Sequence, residues 1–284
     1  MNANQFLKWL DNYQSAIWKK PLIMGIINVT AESFSDGGAY LVLPKAIEQA
    51  IALIDAGADI IDIGGESTRP GAVPVSAELE LARVIPLIEA IRAQSDVCIS
   101  IDTSKPEVMQ AGVAAGANLI NDIFALQSTG ALAMAATLNV PVCLMHMQGT
   151  PHTMQKNPHY PAGLIPEIMH FFAQRIDACM QAGIPKTHLV LDPGFGFGKS
   201  VAHNMQLMQQ LTEFKEFALP LLLGVSRKST IGAVLNKDVD QRLIGGIALA
   251  VYAALKGVGI IRTHDVDETN QALQMIDAVN KEGL

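Results

Sequence analysis

Eight times along the chain a short apolar run breaks off into a polar or charged cluster, and that repeat constrains the fold more than any other feature. The units are IMGIIN ending at residue 28, IIDIGGESTR at 69, ISIDTS at 104, LINDI at 123, CLMHM at 147, LVLDPGFGFGK at 199, LLLGVSRKS at 229 and IIRTHD at 265. Most are separated by a segment with helical periodicity, so the chain reads as strand then helix, eight times over. That is the pattern of an α/β protein of the (β/α)8 TIM-barrel type, which takes about 250 residues. A length of 284 residues therefore predicts a single domain. In such a barrel the polar strand ends meet on one face, and the site is to be sought there.

The intervening helices carry their own punctuation. Residues 44–56 begin at Pro44 and stop at Gly57, and residues 77–94 place Leu81, Val84, Ile85 and Ile88 on one side. Segments 105–115, 164–182 and 266–279 behave alike, with Gly116 and Gly183 as stops. Three connections, 29–43, 64–76 and 147–163, are longer than packing requires and rich in Gly, Pro, Ser, Thr and Asn. They are expected as mobile loops over the strand-end face, where a lid would sit. Residues 1–20 read as an amphipathic N-terminal extension under the barrel, which then occupies 21–284.

The charge balance sets limits on partners. Twenty basic against 27 acidic residues give a net charge of −7, which disfavours nucleic acid and anionic membranes, so an anionic substrate has to be held by a local basic cluster. The longest apolar stretch, Leu243 to Leu255, is interrupted by Gly245 and Gly246 and is shorter than the ~20 residues a membrane span takes. It reads as a buried helix that packs against a second copy, making a homodimer the expected assembly. Cys98, Cys143 and Cys179 are an odd number without C-x-x-C spacing, as in a reduced, cytoplasmic protein. No secretory leader is expected in residues 1–20, because Asp11 interrupts any apolar run.

Two constellations carry chemistry. DPGFGFGKS, from Asp192, misses both Gly-rich nucleotide fingerprints by one residue. It reads instead as a turn that lets backbone and Phe197 approach a flat ligand beside a carboxylate. A buried carboxylate accepts two parallel N–H bonds from a guanidine-like ring edge, so Asp192 suits a pterin or a guanine. Asp102 and Asn121 end the third and fourth strands and can pair with other ring nitrogens, and Lys228 follows the seventh. The second constellation is basic: Arg69, Arg262 and His264 form an anion site, with Arg227 either joining them or pairing with a surface acid. A diphosphate there would bring Mg²⁺, which takes only one or two protein oxygens, one of them from Asn28. His146, His152 and His159 tempt a zinc reading, but their spacing fits no ligand pattern and favours core and loop histidines. Neither a G-x-S-x-G elbow nor a Cys at a polar strand end supports nucleophilic catalysis.

Taken in order, NVTAESFSDGG, GGESTRPGA, DTSKPEV, NDI, MHMQG, DPGFGFGK, SRKS and RTHDV closely resemble the dihydropteroate synthases of the pterin-binding family, over residues 21–270. The resemblance implies an enzyme that joins 4-aminobenzoate to 6-hydroxymethyl-7,8-dihydropterin diphosphate, with Mg²⁺, and releases diphosphate. Carried over motif by motif, it implies that Asp102, Asn121, Asp192 and Lys228 hold the pterin, with Asp102, Lys228 and Arg262 acting in catalysis. Asn28, Thr68, Arg69, Arg262 and His264 would hold diphosphate and metal, and Phe34, Pro70, Phe197 and Ser226 would shape the aminobenzoate pocket. The family has Pro-Asp after NVT where this chain has Ala31-Glu32, a departure in the first loop. A methyltetrahydrofolate:corrinoid methyltransferase shares the pterin pocket without an anion site, and a silent pterin-binding paralogue would lack the anion cluster or the first two loops. Arg69, Arg262 and the Ser-Arg-Lys-Ser string argue against the first, and the presence of both the cluster and the two loops argues against the second.

Overall fold

The computed structural model describes residues 1–13, 19–29, 39–68 and 71–282. Eight strands alternate with helices: β1 (Leu22–Asn28), β2 (Ile60–Gly64), β3 (Cys98–Asp102), β4 (Leu119–Asp122), β5 (Val142–Met145), β6 (Leu189–Asp192), β7 (Leu222–Gly224) and β8 (Ile260–Thr263). All neighbouring pairs are parallel, in the order β6-β5-β4-β3-β2-β1-β8-β7. A parallel bridge between Leu191 and Leu221 joins the two ends, and the sheet closes into a barrel.

The helices are α1 (Ala3–Asp11), α2 (Ala39–Asp55), α3 (Ala77–Arg92), α4 (Pro106–Ala115), α5 (Ala131–Leu138), α6 (Leu164–Gln181), α7 (Val201–Gln209), α8 (Ser229–Leu235), α9 (Leu243–Leu255) and α10 (Val266–Glu282). The α2 helix starts at Ala39, ahead of the Pro44 start expected from sequence, so Pro44 lies inside it. A proline inside a helix withholds one backbone donor, a loss this helix tolerates because its apolar face, with Ala46, Ala50 and Leu53, is buried on the sheet.

Strand alternation divides the core. Outward residues such as Ile23, Ile61, Ile99, Ile120, Leu144, Leu191, Leu223 and Ile261 pack beneath the helices. Inward residues at the strand starts, Leu22, Ile60, Cys98, Leu119, Cys143, Val190, Leu222 and Ile260, fill the lower barrel together with Phe6 and Leu10 of α1. The N-terminal helix thus plugs the bottom. Its N-cap Asn2 and Gln5 form a reciprocal capping box, and the Cys98 amide donates to the Met1 carbonyl at 2.7 Å. Two residues further along β2, β3, β4, β6 and β8 the inward positions turn polar, and that upper layer is the site.

Candidate functional site

The upper layer is assembled from alternation alone. Asp62 is two residues past Ile60, Ser100 and Asp102 follow Cys98, Asn121 follows Leu119, Asp192 follows Val190, and Arg262 follows Ile260. Each pair shares one face of its strand, so a residue whose predecessor fills the apolar floor must itself point into the barrel.

Arg262 lies at the centre. Its Nε donates to Asp62 Oδ2 at 2.6 Å and its Nη2 to Asp102 Oδ2 at 2.8 Å. Asn121 Nδ2 reaches Asp62 at 3.3 Å, completing a network across β2, β3, β4 and β8. Asp62 is wholly buried. Burial pushes the Asp102 carboxyl up, to about 8, with Asp62 adding to the push and Arg262 opposing it. Burial disfavours the Arg262 charge, but Asp62 and Asp102 more than reverse this and hold the guanidinium protonated. The sequence reading assigned Asp102 to a ring and Arg262 to an anion; in the fold the two share an ion pair. Asp62 escaped that reading, although an acid within Ile60-Ile61-Asp62-Ile63 at an inward position was its signal.

Across the barrel, Asp192 Oδ1 accepts from the Gly194 amide at 2.8 Å. Burial raises its pKa, and Lys228, the Gly194 bond, Arg262 and Lys199 work against the rise. Lys228 Nζ donates to the Phe195 carbonyl and lies 4.5 Å from the centre of the Phe197 ring. Burial lowers its pKa to about 8, Asp192 opposing. The Gly194 backbone has φ +70° and passes so close to the strand-five end that a Cβ would lie 1.9 Å from the His146 carbonyl oxygen, so only glycine fits.

At the β7 and β8 ends, Ser226 Oγ and His264 Nδ1 are 3.0 Å apart, and the His264 amide donates to the same hydroxyl at 3.3 Å. These two residues were assigned to different ligands, yet they touch. Arg227 pairs with Asp265 at the surface, which settles its open alternative. Asn28 ends β1; a Cβ on Gly64 would lie 3.7 Å from its Oδ1 and 3.5 Å from the Asp102 Cβ, so both side chains flank the bare backbone of Gly64. Thr68 follows the β2 end. The segment before it is fixed by Arg83 Nη1, which donates to the Gly65 carbonyl at 2.7 Å, and by Lys105, which bridges Glu66 and the buried Glu80. Phe34, Arg69, Pro70 and the Ala31-Glu32 departure lie outside the described residues.

The three histidines do not converge. His146 is buried, whereas His152 and His159 are exposed. The long connection after β5 is a series of turns bonded to the turn after β6: Tyr160 Oη donates to the Gly198 carbonyl at 2.7 Å and Gln155 Nε2 to that of Gly196 at 2.8 Å. Among the described residues no group of three His, Cys, Asp or Glu side chains is placed to hold a metal ion.

Comparison with known proteins follows the same lines. A model of the family described as pterin binding enzyme matches residues 24–264. Dihydropteroate synthase of Escherichia coli K12 is 54% identical over 258 residues, covering 91% of each chain. A dihydropteroate synthase structure from Yersinia pestis in complex with a sulfonamide drug superposes with a TM-score of 0.88 at 52% identity, covering 92% of this chain and 94% of that one. One from Xanthomonas albilineans in complex with 7,8-dihydropteroate gives 0.84 at 45%, with the same coverage.

Proposed function

The chain belongs to the pterin-binding enzyme family and is a dihydropteroate synthase, and we propose that the polar layer above the plugged barrel floor is where it carries out that reaction. The enzyme condenses 6-hydroxymethyl-7,8-dihydropterin diphosphate with 4-aminobenzoate, giving 7,8-dihydropteroate and diphosphate. The observation that carries the assignment of residues is the pairing, inside one barrel mouth, of the Asp62–Arg262–Asp102–Asn121 network with Asp192 and Lys228. A pterin is flat, with a guanidine-like edge that donates and a carbonyl that accepts. Asp192 takes the edge, Lys228 the carbonyl, and Asp102 and Asn121 the remaining ring nitrogens.

Bond breaking follows from the charges. The C–O bond to diphosphate breaks with the electron pair leaving on oxygen, so a methylene cation conjugated to the ring remains. The Asp102 carboxylate, once ionised, stabilises that positive charge in a buried setting where it counts most. The aromatic amine is neutral at pH 7 and attacks without a general base; it forms the C–N bond, and its surplus proton passes to solvent. Catalysis is thus mostly positioning and charge stabilisation. The family resemblance assigns Thr68, Arg69, Arg262 and His264 to the leaving diphosphate and Phe34, Pro70, Phe197 and Ser226 to the aminobenzoate, and a sulfonamide drug, which the Yersinia pestis relative binds, is expected to bind this chain as well.

The residues suit Mg²⁺ as a guest of the substrate. The mouth offers the amide oxygen of Asn28 beside Gly64 and, among the described residues, no group of three His, Cys, Asp or Glu ligands, which matches a cation that keeps waters and takes most remaining ligands from diphosphate oxygens. Bound there with the diphosphate, Mg²⁺ would neutralise charge on the leaving group. The three buried free thiols favour the cytoplasm, and among the described residues no helix is long and apolar enough to cross a membrane. The apolar surface of α9 favours a homodimer.

The test is release of diphosphate from the purified protein with both substrates and Mg²⁺. Asp192→Asn should weaken binding of 6-hydroxymethyl-7,8-dihydropterin itself, and Arg262→Ala should weaken the diphosphate ester more than the free alcohol. Equal losses for both ligands in both variants would overturn this division of the site.

A further inference from the structure

Resting on the pterin-binding reading, we propose that Lys199 is a positioning residue for pterin recognition: its buried ammonium stands behind the Asp192 turn and keeps the Asp192 carboxylate ionised for the ring edge. Lys199 is 2% exposed. Its Nζ lies 3.0 Å from His146 Nδ1 and 3.1 Å from the Phe197 carbonyl, and 3.3 Å from where a Gly194 Cβ would be. None of these partners is a carboxylate. A lysine placed this deep without a hydrogen-bonded acid is costly unless its charge has work to do at longer range. The nearby acid is Asp192, one residue before the Pro193-Gly194 bend.

The surroundings support the pairing. The groups that bear on Asp192 are Lys228 after β7, Arg262 on β8, the Gly194 amide and Lys199 within its own turn, and Cys143 on β5. Lys228 is partly committed to the Phe195 carbonyl and the Phe197 ring, and Arg262 to Asp62 and Asp102. Among the described residues Lys199 has Asp192 as its acid and, unlike Lys228, no aromatic ring beneath its ammonium. Burial lowers its pKa to about 7, Asp192 holding it up and Lys228 pulling it further down. His146 is kept neutral, its pKa lowered to about 2 by burial and by Lys199, and so accepts the lysine proton at Nδ1. The strand-five histidine thereby holds the cation in place, while its ring stacks edge-on against Phe171.

The experiment measures calorimetric affinity for 6-hydroxymethyl-7,8-dihydropterin from about pH 5 to about pH 8. Asp192 must be ionised to accept the ring edge, and its folded pKa is raised, so affinity falls as pH drops through that value. Lys199→Gln keeps a donor for His146 but removes the charge. It should move this acid limb to higher pH by about one unit, a loss of up to about tenfold on the acid side of the profile that shrinks as pH rises and Asp192 ionises in both proteins. Lys199→Arg should move the limb back towards wild type. Asn204→Ala loosens the same turn without touching its charge, because Asn204 Oδ1 accepts from the Gly196 amide at 2.7 Å, and should weaken binding equally at every pH. A Lys199→Gln profile that is unchanged, or lowered uniformly like that of Asn204→Ala, overturns the proposal; Lys199→Met replaces the glutamine variant should that not fold. Failure of the wild-type protein to bind the pterin at any pH would instead overturn the pterin reading itself.

Discussion

A single carboxylate illustrates how burial and chemistry meet in this site. The unfolded chain releases the Asp102 proton near pH 4, whereas the fold holds it to about 8. The fold therefore binds this proton more tightly than the unfolded chain does. The resulting stabilisation is full below pH ~4 and is lost as pH rises through about 8. Activity runs the other way, because only the ionised carboxylate opposes the methylene cation. We expect kcat/KM for the pterin substrate to climb between about pH 6 and about pH 8 and Asp102→Asn to flatten that climb; a wild-type profile already flat across this window would refute the role. Asp62 is the structural counterpart. Truncating it to Ala leaves Arg262 half compensated and Asn121 short of a partner, at a cost of about 3 kcal/mol. Thermal unfolding should register a drop in Tm of roughly 6–10 °C for a chain this long. Asp192, Asp102, Asn121 and Arg262 were visible in the sequence because each ends an apolar run. Asp62 and the role of Lys199 were not, since one lies inside its run and the other depends on a contact with strand five that no local pattern encodes.

Elements were legible where their own periodicity decides them and less so where tertiary packing does. The α3, α4 and α6 helices start and stop within two residues of their sequence signals, whereas α2 overrides Pro44 because burial of its apolar face outweighs one missing backbone donor. The α1 helix is a plug whose value lies in the floor it completes. Phe6 is wholly buried among the first inward residues of the strands, so Phe6→Ala should cost about 3–5 kcal/mol. Since the floor lies below the polar layer, KM for both substrates should stay near wild type at temperatures where the variant is folded. A large KM change with an unchanged Tm would mean that α1 acts on the site rather than on stability. The connection after β5 has the complementary behaviour. Expected as a mobile loop, it is bonded to the β6 turn at Gly196 and Gly198, contacts between distant segments that composition cannot reveal. Tyr160→Phe leaves the Gly198 carbonyl unpaired and should lower stability by about 1–2 kcal/mol, measured by thermal unfolding, with a rise in KM for the pterin substrate because the turn carrying Asp192 and Phe197 loses a support.

At the scale of the whole molecule, the barrel explains why one side of one helix is out of place. α9 carries no charged residue from Leu243 to Leu255. Its inner side, Gly246, Ala250, Ala253 and Ala254, is buried on the barrel, but Ile244 is 77% exposed and Leu255 56%, with Val234 and Leu235 of the neighbouring α8 also exposed. A surface helix that is apolar all round normally has a partner on both sides, and a contiguous exposed apolar patch marks an interaction site. Net charge on the chain is −7, so two copies repel at long range and join only where an uncharged face meets an uncharged face. The α9 face meets that condition. Sedimentation velocity should therefore find a dimer at micromolar concentration, and the double variant Ile244→Asp with Leu255→Asp should sediment as a monomer, because dimerisation would then bury four unpaired carboxylates. The pterin-binding residues lie on other elements, so the monomeric variant should still bind 6-hydroxymethyl-7,8-dihydropterin. A wild-type protein that sediments as a monomer, or a double variant that remains dimeric, would place the interface elsewhere or remove it.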